Sequence, residues 1–121
     1  MKKLVGVGSY HDWEVEELRK DREFAVEYLK AAMEALDSPE ERAGGLIALR
    51  AVAEAYGGLG AVAASAGISR ESLYRALSPK GNPTLKTLAA VLKTVGLRLT
   101  VTEVQKVEAA QAKDSNDYAA A

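Results

Sequence analysis

The sequence contains no cysteine, so disulfides and thiolate metal sites are excluded. It has one histidine, His11, which leaves no basis for a histidine-built zinc centre. No apolar run approaches the length of a membrane span. The amino terminus, MKKLVGVGSYHDWE, offers only LVGVG before acids begin, too short for the apolar region of a signal peptide, and a cytoplasmic protein is expected. Catalytic constellations are missing as well. GVGSY lacks the following helix and lysine that a phosphate-binding loop needs. The His11-Asp12 pair has no nucleophile or second base near it in sequence. No enzymatic activity, cofactor or metal site is therefore expected.

What is present suits one domain with a single core: 121 residues, 48% of them hydrophobic. The net charge of −1 argues by itself against a nucleic-acid binder, but its distribution reverses that impression. Residues 12–43 hold eleven acidic against five basic side chains, whereas residues 58–100 hold six basic side chains against Glu71 alone. An acidic half and a basic half suit two partners of opposite character. Chance segregation on solvated helix faces would give the same pattern.

Helical periodicity runs through most of the chain. Val26, Leu29, Met33 and Leu36 form one stripe, with Phe24 and Tyr28 on a neighbouring one. Ser38-Pro39-Glu40-Glu41 then predicts a helix start, with a serine cap, proline at the first position and Glu41 completing a capping box. The following helix carries Leu46, Leu49, Ala53 and Tyr56 and ends at Gly57-Gly58; Gly44-Gly45 allow a bend or a late start. Two short helices follow, over about residues 59–65 and 70–77. Asn82-Pro83 predicts the start of a further helix striped by Leu85, Leu88, Leu92 and Val95 and stopped by Gly96. In LRLTVTEV the period becomes two, with Leu97, Leu99, Val101 and Glu103 on one face, which predicts a strand. A lone strand cannot satisfy its own backbone groups, so pairing with the same strand of a second copy, a homodimer, is expected. Residues 104–121 lack periodicity and are expected to form a disordered tail.

The stretch LGAVAASAGISRESLYRALSPKGNP carries the functional signal. Two short helices that cross closely need small side chains at the crossing, and Ala63 and Ala66 provide them. Gly67 permits the positive backbone angle of a tight turn, Ile68 plugs the corner, and Ser69 caps the second helix. Leu73, Ala76 and Leu77 then face inward, while Arg70, Glu71, Tyr74 and Arg75 share the outward side. Two arginines and a tyrosine on one short helix suit a DNA major groove, where arginine pairs with guanine and tyrosine reaches a phosphate or a thymine methyl. An ordinary helical hairpin with solvated arginines is the blander alternative.

This order of residues resembles the helix-turn-helix of the Cro/repressor-like (XRE) family at Ala63, Gly67-Ile68, Leu73 and Ala76. It departs at Leu59, where that family often has a phosphate-touching glutamine. The longer string SRESLYRALSPKGNPTLKTLAAVLKTVGLRLTV resembles the HigA-like probable addiction module antidotes, and SYHDWEVEELRKDREFAVEYLKAAMEAL fits their acidic-aromatic leader and first amphipathic helix. The resemblance covers about residues 9–101. It implies an all-α fold: a five-helix Cro/repressor-like domain over residues 21–103, with a short carboxy-terminal dimerisation strand (Leu97, Leu99, Val101), preceded by a leader at 1–20.

It also implies a sequence-specific DNA-binding antitoxin of a type II toxin-antitoxin module. Such a protein neutralises a RelE/HigB-like mRNA-nuclease toxin and represses its own operon. A phage-repressor-like regulator without a toxin is the alternative. The expected DNA-binding set is Ser69, Arg70, Glu71, Ser72, Tyr74, Arg75, Lys80 and Asn82, with double-stranded DNA bearing an inverted-repeat operator as the partner. Lys80, in the loop after the outward-facing helix, is assigned to phosphate. Tyr10 and Trp13 are expected to anchor either against the core or against a partner. The residues alone make the acidic segment 12–41 a solvated surface; the resemblance makes Tyr10, Trp13, Glu14 and Glu17 the toxin-binding set, and a chain lacking residues 1–36 is expected to keep specific DNA binding and lose toxin neutralisation.

Overall fold

The computed structural model of the protein describes residues 9–103. They form six α-helices: α1 (Ser9–Lys20), α2 (Arg22–Ala35), α3 (Arg42–Ala55), α4 (Gly58–Ala66), α5 (Arg70–Ala76) and α6 (Leu85–Lys93). The expected tail at 104–121 and the first eight residues of the expected leader lie outside the described residues. Among the described residues no single helix is long and apolar enough to cross a membrane.

The sixth helix is the leader. Ser9–Lys20 is helical, and a single residue separates it from α2. Asp21 leaves the helical region (φ −139°, ψ 101°), and its carboxylate accepts the Phe24 amide at 3.1 Å, ending one helix while capping the next. The leader is not an appendage: Val15 and Leu18 are buried, and α1 packs on both α2 and α3. Tyr56 at the end of α3 donates its hydroxyl to the Leu18 carbonyl at 2.6 Å, satisfying one of the carbonyls that a helix end leaves free.

α3 occupies the centre. Leu46, Leu49, Ala51, Val52 and Ala53 are completely buried, and the helix packs against α1, α2, α4 and α6. Burying each leucine contributes about 1.5–3 kcal/mol. The small residues permit close approach. A Cβ on Gly45 would lie 2.8 Å from the Ala32 carbonyl oxygen of α2, so the two backbones nearly touch there.

Ser38 does not cap this helix. Residues 38–41 instead form a turn in which the Glu41 and Arg42 amides both donate to the Ser38 carbonyl, and the helix begins at Arg42. The late start was open in the glycine pair, and the Ser38 hydroxyl is occupied with Glu40. A similar shift occurs at α6. Thr84, not Asn82, is the cap, its hydroxyl accepting the Thr87 amide at 3.1 Å, so Pro83 precedes the helix.

Two helices end on the same device. Gly67 (φ +74°) after α4 and Gly96 (φ +86°) after α6 turn the chain left-handed. The next residue then donates back five positions, Ile68 to the Ala63 carbonyl and Leu97 to that of Leu92, each at 3.0 Å. Gly96 thereby folds Leu97 onto the core as a partly buried side chain. Beyond it the expected strand is not seen. No strand occurs among the described residues, and Leu99 and Val101 are exposed, Val101 at 93%. The reason is physical: a strand exists only in a ladder, and no second strand is found among the described residues to pair with it.

The close contact at Gly45 and the open surface at Gly44, where nothing lies within 4 Å of an added Cβ, predict effects of opposite sign. Gly45→Ala should lower stability by about 1–3 kcal/mol through overpacking, whereas Gly44→Ala should raise it by about 0.5–1 kcal/mol. Urea unfolding of the two variants beside the wild type reads both; a Gly45→Ala protein as stable as wild type would contradict the packing.

Candidate functional site

α4 and α5 meet through the small face set by their sequence. Ala63 and Ala66 are buried at 2% and 3% exposure, and Leu73 and Leu77 are completely buried beneath α5. Ser69 caps α5, its hydroxyl accepting the Ser72 amide at 3.0 Å and lying 3.0 Å from the Ser72 hydroxyl. The opposite side of α5 exposes Arg70, Glu71, Tyr74 and Arg75 together. These four, with Leu59 of α4 and Glu54 of α3, line an open groove of about 480 Å³. Arg75 also approaches the Ser72 hydroxyl at 3.4 Å, which keeps its guanidinium on that surface.

The turn after α5 is held from several sides. Ser78 donates its hydroxyl to the Arg75 carbonyl at 2.7 Å, and the Gly81 amide donates to the Ser78 carbonyl at 2.8 Å. Gly81 passes so close to the end of α5 that a Cβ would fall 2.0 Å from the Ala76 carbonyl oxygen, and no other residue fits there. Arg42 of α3 then donates to both the Gly81 carbonyl and the Asn82 side-chain oxygen at 3.2 Å. Asn82 is thus engaged within the chain, although its residue remains exposed, whereas Lys80 is exposed at the turn. Lys86 lies over the Gly67 turn, its Nζ 3.2 Å from where a Cβ on that glycine would sit.

A second exposed surface belongs to α1 and α2. Tyr10 and Trp13 are 69% and 55% exposed with ring centroids 5.8 Å apart, so they do not anchor in the core. On α2, Phe24 is also exposed and lies 5.5 Å from Tyr28, centroid to centroid. Glu14 is not part of this exposed rim. It is buried, accepts the Tyr28 hydroxyl and lies 3.6 Å from His11. Its spacing explains the burial, because positions 14, 15 and 18 share one helix face and that face is turned inward. Glu17 is partly exposed and pairs with Lys20 at 3.1 Å; Glu16 pairs with Arg19 at 2.9 Å. Such neighbouring surface pairs contribute little to stability but moderate the acidity of α1.

Three contributors escaped a reading of sequence alone. His11 is a structural link, its Nε2 2.5 Å from the Glu54 carboxylate of α3. Tyr28 supports the buried Glu14. Arg50 of α3 stacks on Tyr74, its guanidinium carbon 4.5 Å from the ring centroid. All three are tertiary contacts between different helices. Only the recurrence of Tyr28 and Glu14 on inward-facing stripes could have hinted at one of them.

Burial, and then the hydrogen bond to Glu14, push the Tyr28 phenol well above its usual value of 10.0. The folded state therefore holds the proton more tightly than the unfolded chain. The stability this supplies is complete below pH 10 and is lost as pH rises above it. Tyr28→Phe should cost about 1–3 kcal/mol near neutrality, because the buried Glu14 carboxylate loses a donor. It should also reduce the loss of stability above pH 10, seen by comparing unfolding midpoints at neutral and alkaline pH.

The family described as "Probable addiction module antidote protein" matches residues 9–103, a span that includes all six helices. An uncharacterized protein of Haemophilus influenzae is 52% identical over 40 residues, a stretch covering 33% of this chain and 41% of that protein. The match thus spans less than half the length of that curated relative. No solved structure matches the chain. With a family match extending over the whole described fold, the chain belongs to the probable addiction module antidote family.

Proposed function

We propose that the protein is a DNA-binding antidote that acts in the cytoplasm as a homodimer, represses its own operon and neutralises a RelE/HigB-like mRNA nuclease. Membership of the antidote family supports a toxin partner in general. The observation that carries DNA binding is the single exposed face on which α5 presents Arg70, Glu71, Tyr74 and Arg75 above a buried Leu73. A helix of this size fits a major groove, and an arginine there discriminates a base by about 1–3 kcal/mol. Lys80 sits at the turn beyond α5, suited to phosphate.

The toxin side rests on chemistry. A nuclease acting on ribosome-bound RNA must carry cations for phosphate. The acidic helices α1 and α2 complement such a surface, and Tyr10, Trp13 and Phe24 supply exposed aromatic anchors. Charge complementarity speeds encounter, while buried aromatics slow dissociation. Dimerisation is assigned to Leu97, Leu99 and Val101, of which Leu99 and Val101 are exposed and free of strand pairing among the described residues. A two-fold ladder there would set two copies of α5 about 34 Å apart on an inverted-repeat operator.

Three outcomes are expected. Arg70→Ala and Arg75→Ala should each weaken binding to the DNA upstream of the protein's own reading frame by about 1–3 kcal/mol, with relaxed preference at one base. Mobility shift with matched and scrambled duplexes reads this, and unchanged matched-site affinity in both variants removes the assignment. Trp13→Ala should weaken toxin capture without altering operator affinity; full protection of cells co-expressing the neighbouring toxin gene at matched protein levels would place the neutralising surface elsewhere. Val101→Pro should shift a wild-type dimer toward monomer in sedimentation, because proline removes a ladder donor.

A further inference from the structure

Arg50 lies on α3, outside the helix-turn-helix, yet its guanidinium stacks 4.5 Å from the centroid of Tyr74 on α5. Its Nε is buried and meets no acceptor among the described residues. The expected intramolecular counter-ion is Glu54, one turn further along the same helix face. That carboxylate is instead taken by His11 Nε2 at 2.5 Å. An arginine is permanently charged, and a partly buried cation without an anion is incompletely satisfied. The tyrosine ring attracts it and fixes its position but does not accept its N–H groups.

Arg50 is thus a held cation beside the exposed face of α5, with donor capacity left over. Arg70 and Arg75 project from α5 itself, whereas Arg50 reaches its flank from a neighbouring helix. For a helix seated in a major groove, the flank meets the groove wall, and that wall is sugar and phosphate. We propose that Arg50 is a DNA-phosphate ligand supplied by α3 and positioned by the Tyr74 ring. This rests on the DNA-binding reading above and extends it from the helix-turn-helix to α3.

The test uses the full chain, a duplex from upstream of its own reading frame and a scrambled duplex. Affinity is measured between about 50 and 200 mM salt, the range over which phosphate contacts weaken steeply. Arg50→Gln should weaken both duplexes by about tenfold, and the slope of log affinity against log salt should fall by about 0.9, the value for one phosphate contact. Arg50→Lys should restore the slope, because it restores the charge. Tyr74→Leu, which removes the ring and keeps the arginine, should also lower the salt slope, which loss of the tyrosine's own uncharged contact would not do. An unchanged slope in folded Arg50→Gln overturns the proposal, as does a loss confined to one duplex. If Arg50→Gln fails to fold, a Tyr74→Leu protein with the wild-type salt slope overturns it. A wild-type protein that binds neither duplex would instead defeat the DNA-binding reading itself.

Discussion

The fold depends on burying most of the circumference of α3. With Leu46, Leu49, Ala51, Val52 and Ala53 fully enclosed, this helix cannot exist as the surface of either half of the chain. It requires α1 and α2 against part of its circumference and α4 and α6 against another part. The cross-links at its ends follow from that position. Tyr56 reaches the end of α1, while Arg42 reaches the turn after α5. Even α2 and α6 are joined, since Arg22 donates to the Val95 carbonyl at the end of α6. A short chain thereby builds one core from elements whose surfaces differ in charge.

That segregation was readable in the sequence, and so was much of the α4–α5 pair. Glycine at positive φ, a capping serine and inward leucines are local requirements, and Gly67, Ser69, Leu73 and Leu77 meet them as expected. Less legible was anything depending on competition between neighbouring signals. Ser38-Pro39 and Asn82-Pro83 each offer a plausible cap, but in both cases the chain makes a turn first and starts its helix a few residues later. The local pattern places a helix start nearby. Which residue wins is decided beyond the local pattern, and close tertiary contacts lie near both starts, at Gly45 and at Gly81.

The carboxy-terminal segment shows a different limit. Alternation in LRLTVTEV describes what the backbone is suited to form, but a ladder needs a second strand, and none is found among the described residues. Glu14 shows the converse. Composition groups it with the surface acids, whereas its position one turn before Leu18 turns it inward, where Tyr28 offers a hydroxyl. Arg50 was hidden for a related reason. It lies in the apolar run of α3, and its significance arises from Tyr74, a residue 24 positions away and on another helix.

The shared core also constrains how the two proposed surfaces can be separated. Residues 1–36 contain the acidic aromatic surface, but they also contain Leu18, Ala25, Leu29 and Ala32, all buried. Removing them would strip apolar cover from α3, and α3 holds the turn after α5 through Arg42. A deletion would therefore disturb the exposed face of α5 even though α1 and α2 contribute no residue to it. Separation is possible only at side chains that project without supporting the core. Tyr10 and Trp13 qualify on one surface, and Arg70 and Arg75 on the other. His11 does not qualify, because it leaves α1 beside the aromatics and ends on Glu54, which lines the α5 groove. The leader thus reaches the rim of the α5 groove through one imidazole, and the two surfaces remain mechanically parts of one body.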